Sequence, residues 1–65
     1  MKVRELISLL ERDGWVLQRT RGDHRQFIRP GSPGVITVAG NLGRDIPTGT
    51  LNVILKAAGL KGEQR

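Results

Sequence analysis

The stretch RTRGDHRQFIRP, from Arg19 to Pro30, contains the single histidine of the chain, His24. An imidazole changes its charge near neutral pH, so it can accept a proton and return it. Cleavage of RNA without a metal needs a base for the 2′-hydroxyl, an acid for the leaving 5′-oxygen and cations around the phosphate. His24 is therefore a candidate base or acid. The residues alone also allow a surface or phosphate-contacting histidine at an ordinary hairpin.

Arginines supply cations of the kind that such a reaction needs. Guanidinium groups match the geometry of phosphate with paired hydrogen bonds. Eleven Lys and Arg against six Asp and Glu give a formal charge of +5. This charge favours a polyanionic partner, nucleic acid first, although it can also serve solubility alone. The candidate cations are Arg19, Arg21, Arg25, Arg29 and Arg44, and the candidate RNA-binding residues among them are Arg21, Arg25 and Arg44.

Several other chemistries lack the residues that they require. The chain has no cysteine and one histidine, and its carboxylates are scattered singly, so we expect neither a metal site nor a cofactor. The glycine-containing segments GSPG and GRDIPTG lack the spacing of a phosphate-binding loop, and Ser8 and Ser32 have no evident base. No segment approaches the roughly 20 apolar residues of a membrane span. We expect a cytoplasmic protein without membrane contact.

Hydrophobic periodicity indicates the elements that must position these residues. In KVRELISLLERDG the apolar residues Val3, Leu6, Ile7 and Leu10 follow helical spacing, and Gly14 sits where a left-handed cap belongs. WVLQRT and HRQFIR are β-prone and flank the turn residues RGD, which predicts a hairpin. PGSPG is a loop, and VITVA is a third strand.

A second helix closes the chain. IPTGTLNVILKAAGL places Leu51, Ile54, Leu55 and Ala58 on one stripe, and Gly59 before Leu60 predicts a Schellman-type end. The predicted fold is α+β with the order α-β-β-β-α, in which two helices cover one face of a three-stranded antiparallel sheet. We expect a single domain over residues 1–60 and a C-terminal tail at residues 61–65.

Strand alternation predicts which side chains enter the core. His24 and Phe27 are three residues apart, so they face opposite sides of a regular strand. If Phe27 joins Trp15 and Leu17 in the core, His24 points outward. The same rule puts Arg25 on the Phe27 face, where its guanidinium must reach the edge of the core.

The quoted motifs together resemble a known family. ELISLLERDGW, RTRGDHRQFIRP, VITV and RDIPTGTLNVILKAAGL, in this order from about Lys2 to Leu60, are similar to the HicA toxins of bacterial HicAB toxin–antitoxin systems. The resemblance implies a fold like that of double-stranded-RNA-binding domains and an endoribonuclease that cleaves mRNA without a metal. It also implies silencing by a HicB-like antitoxin protein and a catalytic role for His24, the histidine of the Gly-x-His-x-x-Phe motif. The alternatives are a non-catalytic RNA-binding module of the same fold and a protein-interaction domain.

Two positions depart from the family pattern. Relatives usually carry Ser or Asn where this chain has Asp23, whose charge either weakens RNA binding or tunes His24. Alternation points Asp23 away from His24, so we predict a turn role for Asp23 and no His–Asp dyad. Many relatives also carry a histidine after the third strand, where this chain reads VAGNLGRD. A second proton-transfer residue therefore stays unassigned.

Overall fold

The computed structural model describes residues 1–60, and they form the predicted α-β-β-β-α order. The strands make one antiparallel sheet in the order β1-β2-β3, so β2 is central. Neither helix in this range is long and apolar enough to cross a membrane. The tail predicted at residues 61–65 lies outside the described residues. The elements are α1 (Val3–Arg12), β1 (Val16–Arg21), β2 (His24–Ile28), β3 (Ile36–Ala39) and α2 (Thr48–Ala57).

The core lies between the two helices and one face of the sheet. Both helices pack mainly against the β3 side, so the covered face is the one that carries Phe27 and Val38. Each large side chain buried there contributes about 1.5–3 kcal/mol of transfer free energy. The buried side chains are Val3, Leu6, Leu10, Trp15, Phe27, Ile36, Val38, Ile54, Leu55, Ala58 and Leu60.

The two helices end in the same way, as the glycine positions predict. Gly14 and Gly59 follow α1 and α2 in the left-handed region, at φ +93° and +76°. The next residue in each case, Trp15 or Leu60, donates its amide to the carbonyl five residues earlier, at 3.0 and 2.8 Å. Both side chains are buried. These are Schellman motifs, and each turns the chain back into the core.

A two-residue turn joins β1 and β2 and sets their register. Arg21 pairs with His24, which leaves Gly22 and Asp23 as the loop. Gly22 has φ +60° and Asp23 does not have a positive φ, a combination that fits a type II′ turn. The carbonyl of Asp23 also accepts the amide of Gly40 at 3.0 Å. The turn is thereby tied to the end of β3.

The prediction that Leu17 joins the core is wrong. Trp15 and Phe27 are 4% and 1% exposed, as expected, but Leu17 is 46% exposed. Leu17 is paired with Phe27, so it does face the helix side of the sheet. However, β1 is an edge strand and the helices lie over the β3 side, so nothing in residues 1–60 covers this part of β1.

The segment after β3 crosses the beginning of α1. The amides of Val3 and Arg4 donate to the carbonyls of Arg44 and Leu42 at 2.9 and 3.1 Å. These two amides lie in the first turn of α1, where no partner exists within the helix. The contact stabilises the helix end and fixes the backbone of the segment that carries Arg44.

Truncation of Phe27 should separate core packing from surface exposure. We expect Phe27→Ala to lower the free energy of unfolding by about 3–5 kcal/mol, because the ring is fully buried in the centre of the sheet. Leu17→Ala on the neighbouring strand is the control and should cost under about 1 kcal/mol. Urea unfolding of both variants measures the difference. Equal losses of unfolding free energy in the two variants would contradict the exposure of Leu17 on β1.

Candidate functional site

Residues paired across the strands place the histidine beside arginines. His24 pairs with Arg21 on β1, and Arg19 pairs with Gln26 on β2. Directly paired residues of an antiparallel sheet point to the same face, and Phe27 occupies the opposite one. The histidine side chain is 59% exposed, as strand alternation predicts. We define the outer face as the sheet face away from the helices, formed by Arg19, Arg21, His24, Gln26, Thr37 and Ala39.

A β-bulge brings Arg19 to the outer face. Regular alternation would put Arg19 on the same side as Leu17, which faces the helices. The register shifts between these two residues and leaves Gln18 without a partner on β2. The extra residue reverses the facing of the strand beyond it. Arg19 was a candidate cation but not one of the predicted RNA-binding residues, and the bulge that turns it outward has no signature in the sequence.

Asp23 lies against the histidine, which corrects the prediction that the two form no dyad. Its Oδ1 atom is 3.0 Å from Nδ1 of His24. Strand alternation did not apply, because Asp23 belongs to the turn and not to β2. Its side chain is 60% exposed. A pair in this much water contributes at most about 1 kcal/mol to stability. The contact places a carboxylate beside Nδ1 of the imidazole.

Two predicted RNA-binding residues, Arg25 and Arg44, converge on Gly40. Arg25 lies on the Phe27 face, as predicted, and its Nη1 atom donates to the Gly40 carbonyl at 2.9 Å. Gly40 has φ +105°, and a Cβ placed there would lie 2.8 Å from Cδ of Arg44. Arg44 also lines a cleft of about 200 Å³ between β3 and the start of α2. The structure thus groups Arg25 with Arg44, and groups Arg21 with His24.

Another candidate cation, Arg29, belongs to a structural cluster. Its Nη1 atom donates to Oδ2 of Asp13, and its Nε atom donates to Oγ of Ser32 at 3.1 Å. Its guanidinium carbon lies 4.8 Å from the centroid of the Trp15 ring, whose Nε1 also donates to Asp13 at 3.3 Å. Arg29 therefore links the end of α1 to the end of β2. Trp15 is a core residue and offers no stacking surface.

The outer face combines one imidazole with two guanidinium groups, and the carboxylate of the turn residue Asp23 lies against the imidazole. Among residues 1–60, no three His, Asp or Glu side chains come together in a way that could hold a metal ion. An exposed imidazole can take or give one proton at a bound substrate. Arg19 and Arg21 can bind an anion at the same surface. This set of groups suits proton transfer next to a phosphate.

Comparison with known proteins agrees in fold and in sequence. A family model described as "HicA toxin of bacterial toxin-antitoxin" matches residues 3–60. A solved structure described as "HicA3 and HicB3 toxin-antitoxin complex" is similar with a TM-score of 0.80 and 34% sequence identity, over 94% of this chain and 97% of that chain. No curated protein matches the sequence.

Proposed function

Because the chain belongs to the HicA toxin family of bacterial toxin–antitoxin systems, we propose that it is an endoribonuclease that cleaves mRNA in the cytoplasm without a metal, with His24 as general acid or base. One observation carries this proposal: the single histidine is exposed on the outer face next to Arg21. A core histidine would be buried. His24 instead has most of its side chain in solvent, where a substrate can reach it.

The chemistry needs one proton transfer at each oxygen. With His24 as base, the 2′-hydroxyl proton passes to the imidazole as the 2′-oxygen attacks the phosphorus. The bond from phosphorus to the 5′-oxygen then breaks, and the leaving oxygen takes a proton from water or from the imidazolium. The products are a 2′,3′-cyclic phosphate and a 5′-hydroxyl. Arg19 and Arg21 stabilise the negative charge that grows on the phosphoryl oxygens.

Removal of the imidazole should slow cleavage strongly without unfolding the protein. His24→Ala creates no cavity, because the side chain lies in solvent, and it removes only an exposed pair with Asp23, so the free energy of unfolding should change by at most about 1 kcal/mol. Loss of a positioned proton-transfer group should slow cleavage by about 100- to 10,000-fold. RNA binding should persist, since the arginines supply most of the charge. Melting curves and cleavage of single-stranded RNA in excess chelator measure both effects.

Thr20→Ala is the matched control, because it truncates another exposed strand side chain, on the helix side of the sheet and not on the outer face. It should keep both stability and cleavage. If His24→Ala cleaves RNA at the normal rate, or loses cleavage only by unfolding, the catalytic proposal is wrong. Binding without cleavage by the natural protein would favour a non-catalytic RNA-binding module of the same fold.

We further propose that a HicB-like antitoxin binds along β1 and covers His24. The edge strand β1 exposes Val16 and Leu17 on its two sides, at 54% and 46%. An edge strand with uncovered apolar side chains is a surface that proteins normally pair or cover. Arg19 and Arg21 lie on the same strand and favour an acidic partner. A partner seated there reaches the histidine one strand away.

This placement predicts which substitutions weaken the complex. The double variant Val16→Glu with Leu17→Glu should raise the Kd for a HicB-like antitoxin by at least about tenfold, because apolar contact is lost and the added negative charges repel an acidic partner. Val53→Glu on α2 is the control, because Val53 is an exposed valine, at 69%, away from the sheet. Its Kd should stay unchanged. Isothermal titration and RNA protection assays measure binding and silencing.

Two results would contradict the proposed placement. One is a complex that cleaves RNA as fast as the free protein, which would rule out coverage of His24. The other is a weakened complex with Val53→Glu and a normal one with the β1 double variant. That result would move the interface to α2.

A further inference from the structure

The backbone of Asp23 is held in place by the turn and by the end of β3. Gly22 supplies the left-handed residue of the turn, and the Asp23 carbonyl is bonded to the amide of Gly40 at 3.0 Å. The position of Asp23 is therefore defined by β1 and β3 together, although its side chain is exposed. From this position Oδ1 reaches Nδ1 of His24 at 3.0 Å.

The contact with Asp23 indicates which ring nitrogen of His24 carries the proton. An ionised carboxylate carries no proton, so at 3.0 Å it repels a lone pair on Nδ1 and favours the ring that has its proton on Nδ1. In the neutral ring, Nε2 then keeps its lone pair. Because Nδ1 faces the turn, Nε2 is the nitrogen left for a substrate. When Nε2 takes up a proton, the charged ring stays next to a carboxylate that stabilises it.

We propose that Asp23 is a positioning residue that holds His24 in the Nδ1–H tautomer and presents Nε2 as the base for the 2′-hydroxyl. This inference rests on the proposed ribonuclease function and adds a residue and an atom to it. Asp23 does not touch the substrate in this account. It acts through the imidazole.

Asp23 can also act by repelling the phosphate of RNA. Removal of this repulsion and loss of positioning change the cleavage rate in opposite directions, so the two effects can be separated. A carboxylate close to a bound phosphate repels it, and its removal should tighten RNA binding. If repulsion were the whole effect of Asp23, its removal would also leave the saturated rate unchanged or raise it. The positioning role instead predicts a lower rate at saturating RNA, whatever happens to affinity.

Three variants of the full chain test the proposal. Asp23→Asn removes the charge and leaves an amide that can either accept or donate, so it no longer enforces one tautomer. Asp23→Ala removes the acceptor. Glu11→Gln is the control, because it makes the same change in net charge at an exposed position of α1, on the helix side of the sheet.

The kinetic measurement is single-turnover cleavage of RNA at saturating protein, with RNA affinity measured separately on a 2′-deoxy analogue. We expect Asp23→Asn and Asp23→Ala to lower the saturated rate by about 5- to 30-fold. This loss is larger than the few-fold effect of an exposed charge pair. It is smaller than the roughly 10⁴-fold loss of rate when the aspartate of a buried catalytic triad is replaced. RNA affinity should be equal or higher, and Glu11→Gln should keep the normal rate.

The spectroscopic measurement determines the tautomer of His24 from the ¹⁵N chemical shifts of the imidazole, at a pH high enough for the ring to be neutral. The natural chain should be mainly Nδ1–H, and both Asp23 variants should shift toward the Nε2–H form. A natural chain already in the Nε2–H form, or Asp23 variants with an undiminished saturated rate, would overturn the positioning role while the ribonuclease proposal stands. A natural chain that has the Nδ1–H form but does not cleave RNA would overturn the ribonuclease proposal instead.

Discussion

The burial of Phe27 is the constraint on which the rest of the arrangement depends. Phe27 sits in the central strand and is almost fully enclosed by the helices, so it fixes which face of β2 is covered. Because strand side chains alternate, the same constraint sends His24 into solvent. A slip of β2 by one residue would bury the imidazole of His24 and expose the phenyl ring of Phe27. The two-residue turn at Gly22 prevents that slip by pairing Arg21 with His24.

Features encoded in short stretches could be predicted from the sequence. The order of the elements, the left-handed glycines after both helices and the outward direction of His24 follow from periodicity and from the conformational freedom of glycine. Features that depend on distant segments could not. Whether Leu17 is covered depends on where the helices lie over the sheet, and the facing of Arg19 depends on a bulge. Asp23 was misplaced because a turn does not follow strand alternation.

The net charge alone could not distinguish the arginines by role. Arg29 is bound to Asp13 beside the Trp15 ring, and Arg25 donates to the carbonyl of Gly40, directly after β3. Both guanidinium groups therefore stabilise the fold. Arg19 and Arg21 share the outer face with the histidine. Strand β1 therefore carries both the arginines that we propose bind RNA and the apolar side chains that we propose contact an antitoxin. In this proposal the two surfaces overlap, so that one antitoxin contact would silence the site.

The central claim is that His24 activates a 2′-hydroxyl on RNA bound at the outer face. The most direct test compares cleavage of one RNA with that of the same sequence carrying 2′-O-methyl groups throughout, in excess chelator, with analysis of the product ends. The account predicts cleavage of the unmodified RNA to 2′,3′-cyclic phosphate and 5′-hydroxyl ends, and no cleavage of the methylated RNA. Cleavage of the methylated RNA, or products with 5′-phosphate ends, would contradict it.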